Sequence, residues 1–109
     1  MTAQNASTPP PPVVLINVFT VKPGRLDEFI AVQTAALERF RGQVPGWLGS
    51  RLHRALEGDM AVMMSTFDSV DSHRRWHETP DFAAHLSRVR DLVERAEPGF
   101  YRMTHAVDG

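Results

Sequence analysis

Residues Val13 to Val21, VVLINVFTV, form a run of β-branched, aliphatic and aromatic side chains broken only by Asn17, with no glycine or proline. Such a run reads as a β-strand. Side chains alternate across a strand, so Leu15, Asn17, Phe19 and Val21 share one face, and Val14, Ile16, Val18 and Thr20 the other. Both faces are mostly apolar. A strand with one wet face would alternate, so this one needs cover on both sides. With 109 residues the chain has room for one domain and one core, so the second cover is hard to supply from within.

The remaining pattern fills in around that strand. Residues 1–12 end in four prolines and carry no large apolar residue after Met1, which predicts a disordered tail before a domain at 13–109. Lys22-Pro23-Gly24 is a turn. A helix follows from about Arg25 to Arg41, with Leu26, Phe29, Ile30, Gln33, Leu37 and Phe40 in one stripe. A second strand spans Trp47 to Leu56. There Leu48, Ser50, Leu52, Arg54 and Leu56 alternate with Trp47, Gly49, Arg51, His53 and Ala55. The Glu57-Gly58-Asp59 hairpin leads to a third strand, Met60 to Phe67. Asp68-Ser69 caps a short helix, Val70 to Glu78, and Thr79-Pro80 breaks it. A longer helix then carries the stripe Phe82, Leu86, Val89, Val93 and Ala96. Glu97-Pro98-Gly99 stops it before a last strand, Phe100 to Val107.

The order βαββαβ predicts an α+β, ferredoxin-like fold, an antiparallel sheet with helices on one face. The helices leave the other sheet face bare. A second copy of the same sheet is the simplest cover, so a homodimer with packed sheets is expected.

Composition excludes several functions. With no cysteine, thiol catalysis and thiolate-bound metals are out. A net charge of −1 gives no nucleic-acid footprint and no basic membrane anchor. No apolar run reaches the ~20 residues a spanning helix needs, and the first residues lack a signal-peptide pattern. The expectation is a cytoplasmic protein without nucleic-acid or membrane partners.

Among polar residues, Asn17 stands out as an amide inside an apolar strand. Burying it without partners costs about 1–3 kcal/mol, so it is either hydrogen-bonded within the fold or faces a ligand. His53 has the intrinsic basicity of a general base. His73 and His77 lie one helical turn apart, a spacing that can hold one metal ion but needs a third ligand from elsewhere in the fold. His85 borders the apolar stripe of the last helix. Met60, Met63, Met64 and Met103 suit a core or an adaptable pocket lining.

The segments INVFTVKPGRLDEFI, PGWLGSRLHRAL and TPDFAAHLSRV together resemble the antibiotic biosynthesis monooxygenase (ABM) family over about Val13 to Val107. The resemblance implies a dimeric α+β barrel and a cofactor-independent monooxygenase acting with O2 on an aromatic polyketide or quinol. It matches His53 to a second-strand histidine. Met63 and Phe67 stand where the family has an asparagine and a tryptophan on the third strand. His73 stands at an aromatic position on the next helix, and Arg88 and Arg90 are nearest to a late helical arginine. On this reading His53 is the base, Asn17 polarises the substrate oxygen, and Met63, Phe67, His73, Trp76 and His85 line the pocket. Two alternatives remain open at this point. One is a non-enzymatic protein that binds a small aromatic ligand. The other is haem binding or degradation, with Asn17 on strand one and His85 as axial ligand, one residue before the matching position at Leu86.

Overall fold

The computed structural model describes residues 10–109. The predicted tail therefore lies mostly outside the described residues; Pro10 to Pro12 are exposed and belong to no helix or strand. The elements are β1 (Val13–Val21), α1 (Leu26–Phe40), β2 (Trp47–Arg54), β3 (Met60–Phe67), α2 (Val70–His77), α3 (Pro80–Arg90) and β4 (Val93–Tyr101). They build the expected ferredoxin-like α+β fold. The sheet has the order β2-β3-β1-β4 and every neighbouring pair is antiparallel.

Helix α1 follows its apolar stripe. Leu26, Phe29, Gln33, Ala36 and Phe40 are buried, and Asp27 and Glu28 in the first turn and Arg39 in the last suit the helix dipole. Ser69 caps α2 by accepting from the Ser72 N–H at 3.1 Å. Thr79 caps α3 from the Phe82 N–H at 3.2 Å, with Pro80 at the first turn.

The core is split. One cluster gathers Phe19, Val21, Leu26, Phe29, Ala61, Val89 and Leu92; the other gathers Val13, Ala36, Phe40, Val44 and Phe67, with Trp47 and Trp76 packed on it. Both lie between the sheet and the helices. The opposite sheet face presents Val14, Ile16, Val18 and Val62 partly exposed, and Met60 and Met64 more fully so.

Three expectations are corrected. The last helix ends at Arg90 rather than running to Ala96, and Val93 to Tyr101 form a strand on β1. The partner needed along the free side of β1 outweighs a helical stripe continued by only Val93 and Ala96. Because β4 is an edge strand, Pro98 is tolerated inside it. Residues 102–107, expected to complete the last strand, are exposed and irregular. Strand β2 ends at Arg54, and Leu56 is 100% exposed.

Candidate functional site

A cavity of about 420 Å³ opens between the sheet and the helices, lined by residues of both core clusters. Its lining is aromatic and aliphatic, with Asn17, Gln33, Ser50, Ser65, His73, His77 and His85 as polar exceptions. Among the described residues no lysine, arginine, aspartate or glutamate lines it.

Strand parity decides which side chains reach this space. Leu15, Asn17 and Phe19 on β1 face the helices, as do Met63, Ser65 and Phe67 on β3; Asn17 stands opposite Met63 in register. Strand β2 carries an irregularity between Trp47 and Gly49. Beyond it Ser50 pairs with Ser65 and Leu52 with Met63, while Trp47 pairs with Phe67, so Trp47 and Ser50 both line the cavity. The extra residue overrides the simple alternation, which had put these two on opposite faces.

Part of the lining is an aromatic cluster. The His73 ring lies 5.2 Å from Phe67 and 5.1 Å from Phe100, both edge-on, and 5.2 Å from His77. His77 lies 4.1 Å from Phe82. Trp76 meets Phe40 at 4.7 Å, and Phe40 meets His85 at 6.5 Å. The break between α2 and α3, held by the Thr79 hydroxyl donating to the Trp76 carbonyl at 2.7 Å, lets both short helices turn aromatic residues toward the sheet.

Deep in the lining, polar groups are left without partners. Asn17 Oδ1, Gln33 Oε1 and His85 Nδ1 are buried and accept or donate no hydrogen bond. The Gln33 amide N–H reaches only the Met63 sulfur, at 3.7 Å. Orphaned buried polar atoms are costly, about 1–3 kcal/mol each, and a ligand bringing its own hydroxyl or carbonyl groups would offset that.

Burial lowers the His85 pKa below 6.5, and the Arg39 and Arg88 guanidiniums push it the same way. Burial, then the neighbouring His77, lowers that of His73. Both imidazoles therefore stay neutral at pH 7. The unfolded chain, with ordinary histidines, takes up protons first as pH falls through 6.5. Stability held by the neutral rings is complete above that value and is lost between it and the lowered folded pKa values. The denaturant midpoint should therefore be lower at pH ~5.5 than at pH ~7.5, and His85→Gln should shrink the difference. A midpoint that rises on acidification would contradict this assignment.

Of the residues singled out in the sequence, Asn17, Met63, Phe67, His73, Trp76 and His85 all line the cavity. His53 does not. It pairs with Val62 and is exposed on the far face of the sheet, while its neighbour Leu52 faces the helices. Arg88 and Arg90 are exposed outside the lining. Gln33 and the Ser50–Ser65 pair were not singled out; a polar residue within an apolar stripe was the available signal for Gln33. Among the described residues no three His, Asp or Glu side chains gather as a metal site. The cavity lining offers the imidazoles of His73, His77 and His85 and, among the described residues, no charged side chain, with the Arg39 and Arg88 guanidiniums near His85 outside it.

Comparison with known proteins agrees with this architecture. A family model described as antibiotic biosynthesis monooxygenase matches residues 12–88. The tetracenomycin-F1 monooxygenase of Streptomyces glaucescens is 27% identical over 92 residues, covering 84% of this chain and 81% of that protein. The crystal structure of SnoaB, a cofactor-independent oxygenase from Streptomyces nogalater, superposes with a TM-score of 0.80 at 26% identity, covering 92% of this chain and 100% of that one. PA3566 from Pseudomonas aeruginosa, 17% identical, shares the fold with a TM-score of 0.78 over 91% of this chain and 100% of that one.

Proposed function

The chain belongs to the antibiotic biosynthesis monooxygenase family, and on that premise we propose that it is a cofactor-independent monooxygenase for a planar, oxygenated aromatic substrate of the anthrone or quinol type. One observation carries the reading. An apolar, aromatic-walled cavity of about 420 Å³ holds neutral polar side chains with unpartnered buried atoms. Such a space accepts fused rings bearing a few hydroxyl and carbonyl groups. The oxygenase relatives support the reaction class.

The chemistry follows from the lining. A neutral imidazole takes a benzylic or phenolic proton, and the Asn17 amide polarises the adjacent oxygen. The electron-rich carbanion forms a C–O bond with O2. The proton returns to give a hydroperoxide, which loses its remaining C–H proton and breaks its O–O bond to leave a carbonyl and water. The substrate supplies the electrons; the protein supplies the base, the orientation and a dry site. We assign the base to His85 rather than His53, because His53 lies across the sheet from the cavity and the half-buried His85, with its pKa lowered, lines it. Met63, Phe67, His73 and Trp76 shape the ring-binding walls.

Purified protein mixed with an anthrone under oxygen should form anthraquinone faster than the spontaneous reaction. His85→Gln should lower that rate by about 10²–10⁴-fold, while His53→Ala should stay close to wild type. The rate should hold through neutral pH and fall only below 6.5, where the lowered His85 pKa is reached. A rate no faster than the spontaneous oxidation ends the oxygenase reading. Saturable binding without turnover would then point to a ligand-binding protein of the same fold.

We further propose that a second copy covers the apolar sheet face formed by Val14, Ile16, Val18, Val62 and Met64. These five side chains form one contiguous patch away from the helices.

A further inference from the structure

We infer that the Ser65 hydroxyl is a hydrogen-bond donor to an oxygen of the bound ligand, aimed by Trp47 through Ser50. This rests on the cavity being the site of an oxygenated aromatic ligand. The indole Nε1–H of Trp47 donates to Ser50 Oγ at 2.9 Å. Ser50 Oγ and Ser65 Oγ stand 2.6 Å apart. An indole can only donate, so the chain has a fixed start. With Ser50 accepting from Trp47, its own proton passes most favourably to Ser65, because hydrogen bonds in series polarise one another. The Ser65 proton is then the free end.

Nothing in the protein receives that proton among the described residues. Ser65 is 5% exposed, with Ser50 Oγ as its side-chain partner. It sits on the cavity face of β3, flanked by Leu15 of β1 and Ser50 of β2. With no lysine or arginine in the lining, a phenolate or a quinone-type carbonyl must be met there by neutral donors. The Gln33 N–H is turned toward the Met63 sulfur, which leaves Ser65 as a donor already oriented by its neighbours. The class of ligand is therefore an aromatic ring bearing an acceptor oxygen that gains negative charge, stabilised at Ser65.

The test uses alizarin, an already oxidised hydroxyanthraquinone whose phenol changes colour on ionising. Bound to the wild-type protein, its phenol should ionise at a lower pH than when bound to Ser65→Ala. Phenolate affinity should fall about tenfold in that variant, the usual worth of a hydrogen bond to a charged oxygen. Trp47→Phe leaves Ser65 in place but removes the start of the chain. It should shift the dye's titration in the same direction by a smaller amount, which keeps the proposal testable if Ser65→Ala folds poorly. A purely structural role would lower thermal stability without moving the titration of the bound dye. Unchanged dye affinity and titration in both variants, or no alizarin binding by the wild type, overturns the proposal. Dye binding that depends on Ser65 without anthrone oxidation overturns the oxygenase reading alone.

Discussion

Gly46→Ala should destabilise the protein by about 2–5 kcal/mol, the sum of a strained backbone and an overfilled contact. Gly46 has φ +83°, and a Cβ there would stand 2.5 Å from Ser72 Cβ and 2.6 Å from Asp68 Oδ1. Neither neighbour gives way easily. Asp68 and Ser72 hold each other at 2.5 Å, and the Asp68 N–H donates to the Gly46 carbonyl at 2.8 Å. These bonds tie the turn before β2 to the start of α2, so the loss should also loosen Trp47 and His73 at that end of the cavity. Gly42→Ala separates the two contributions. Its φ is +74°, but nothing lies within 4 Å of the new Cβ, so backbone strain acts alone at about 1–2 kcal/mol. Urea unfolding of the two variants beside wild type checks this. Equal losses would show that the contact with Asp68 and Ser72 costs nothing.

Met64→Glu should abolish the proposed pairing of two copies through the apolar sheet face. Met64 is 37% exposed in one chain and sits opposite Ile16 at the middle of the apolar sheet face. In a single chain a glutamate there can reach water. In a sheet-to-sheet dimer it would be stripped of water, and a two-fold interface would bury it twice. The dimer dissociation constant should rise at least about a hundredfold, since each buried unpaired charge costs several kcal/mol. Sedimentation velocity on both proteins decides it. A wild type that is monomeric at tens of micromolar, or a variant that dimerises as tightly, removes the sheet face as the interface.

Much of this architecture was legible because β1 and α1 carry strong periodic signals. The two apolar faces of Val13–Val21 called for cover on both sides, and the strand lies between β3 and β4 with the helices over one of those faces. The anomaly of Asn17 was legible too, since an amide in an apolar strand has few ways to be satisfied, and it lines the cavity unpartnered at Oδ1. β4 was not legible. Glu94, Arg95 and Glu97 carry no strand signal, and the segment is held by pairing with a strand far away in sequence. The placement of His53 was lost differently. Its alternation with Leu52 was plain, but which of the two faces the helices depends on the pairing of Leu52 with Met63. The Trp47–Ser50 contact was hidden by the irregularity in β2, which strict alternation cannot show.

Pro98 bears on more than the end of a helix. A sheet grows sideways when an edge strand offers its N–H and C=O groups to another chain. At one edge, β4 supplies no N–H at Pro98; at the other, β2 is interrupted near Gly49 and carries Arg51 and Arg54. Both borders resist lateral pairing, so this sheet is guarded against stacking into filaments. The proposed pairing uses the sheet's flat side instead, and a two-fold contact there ends after a single closed pair.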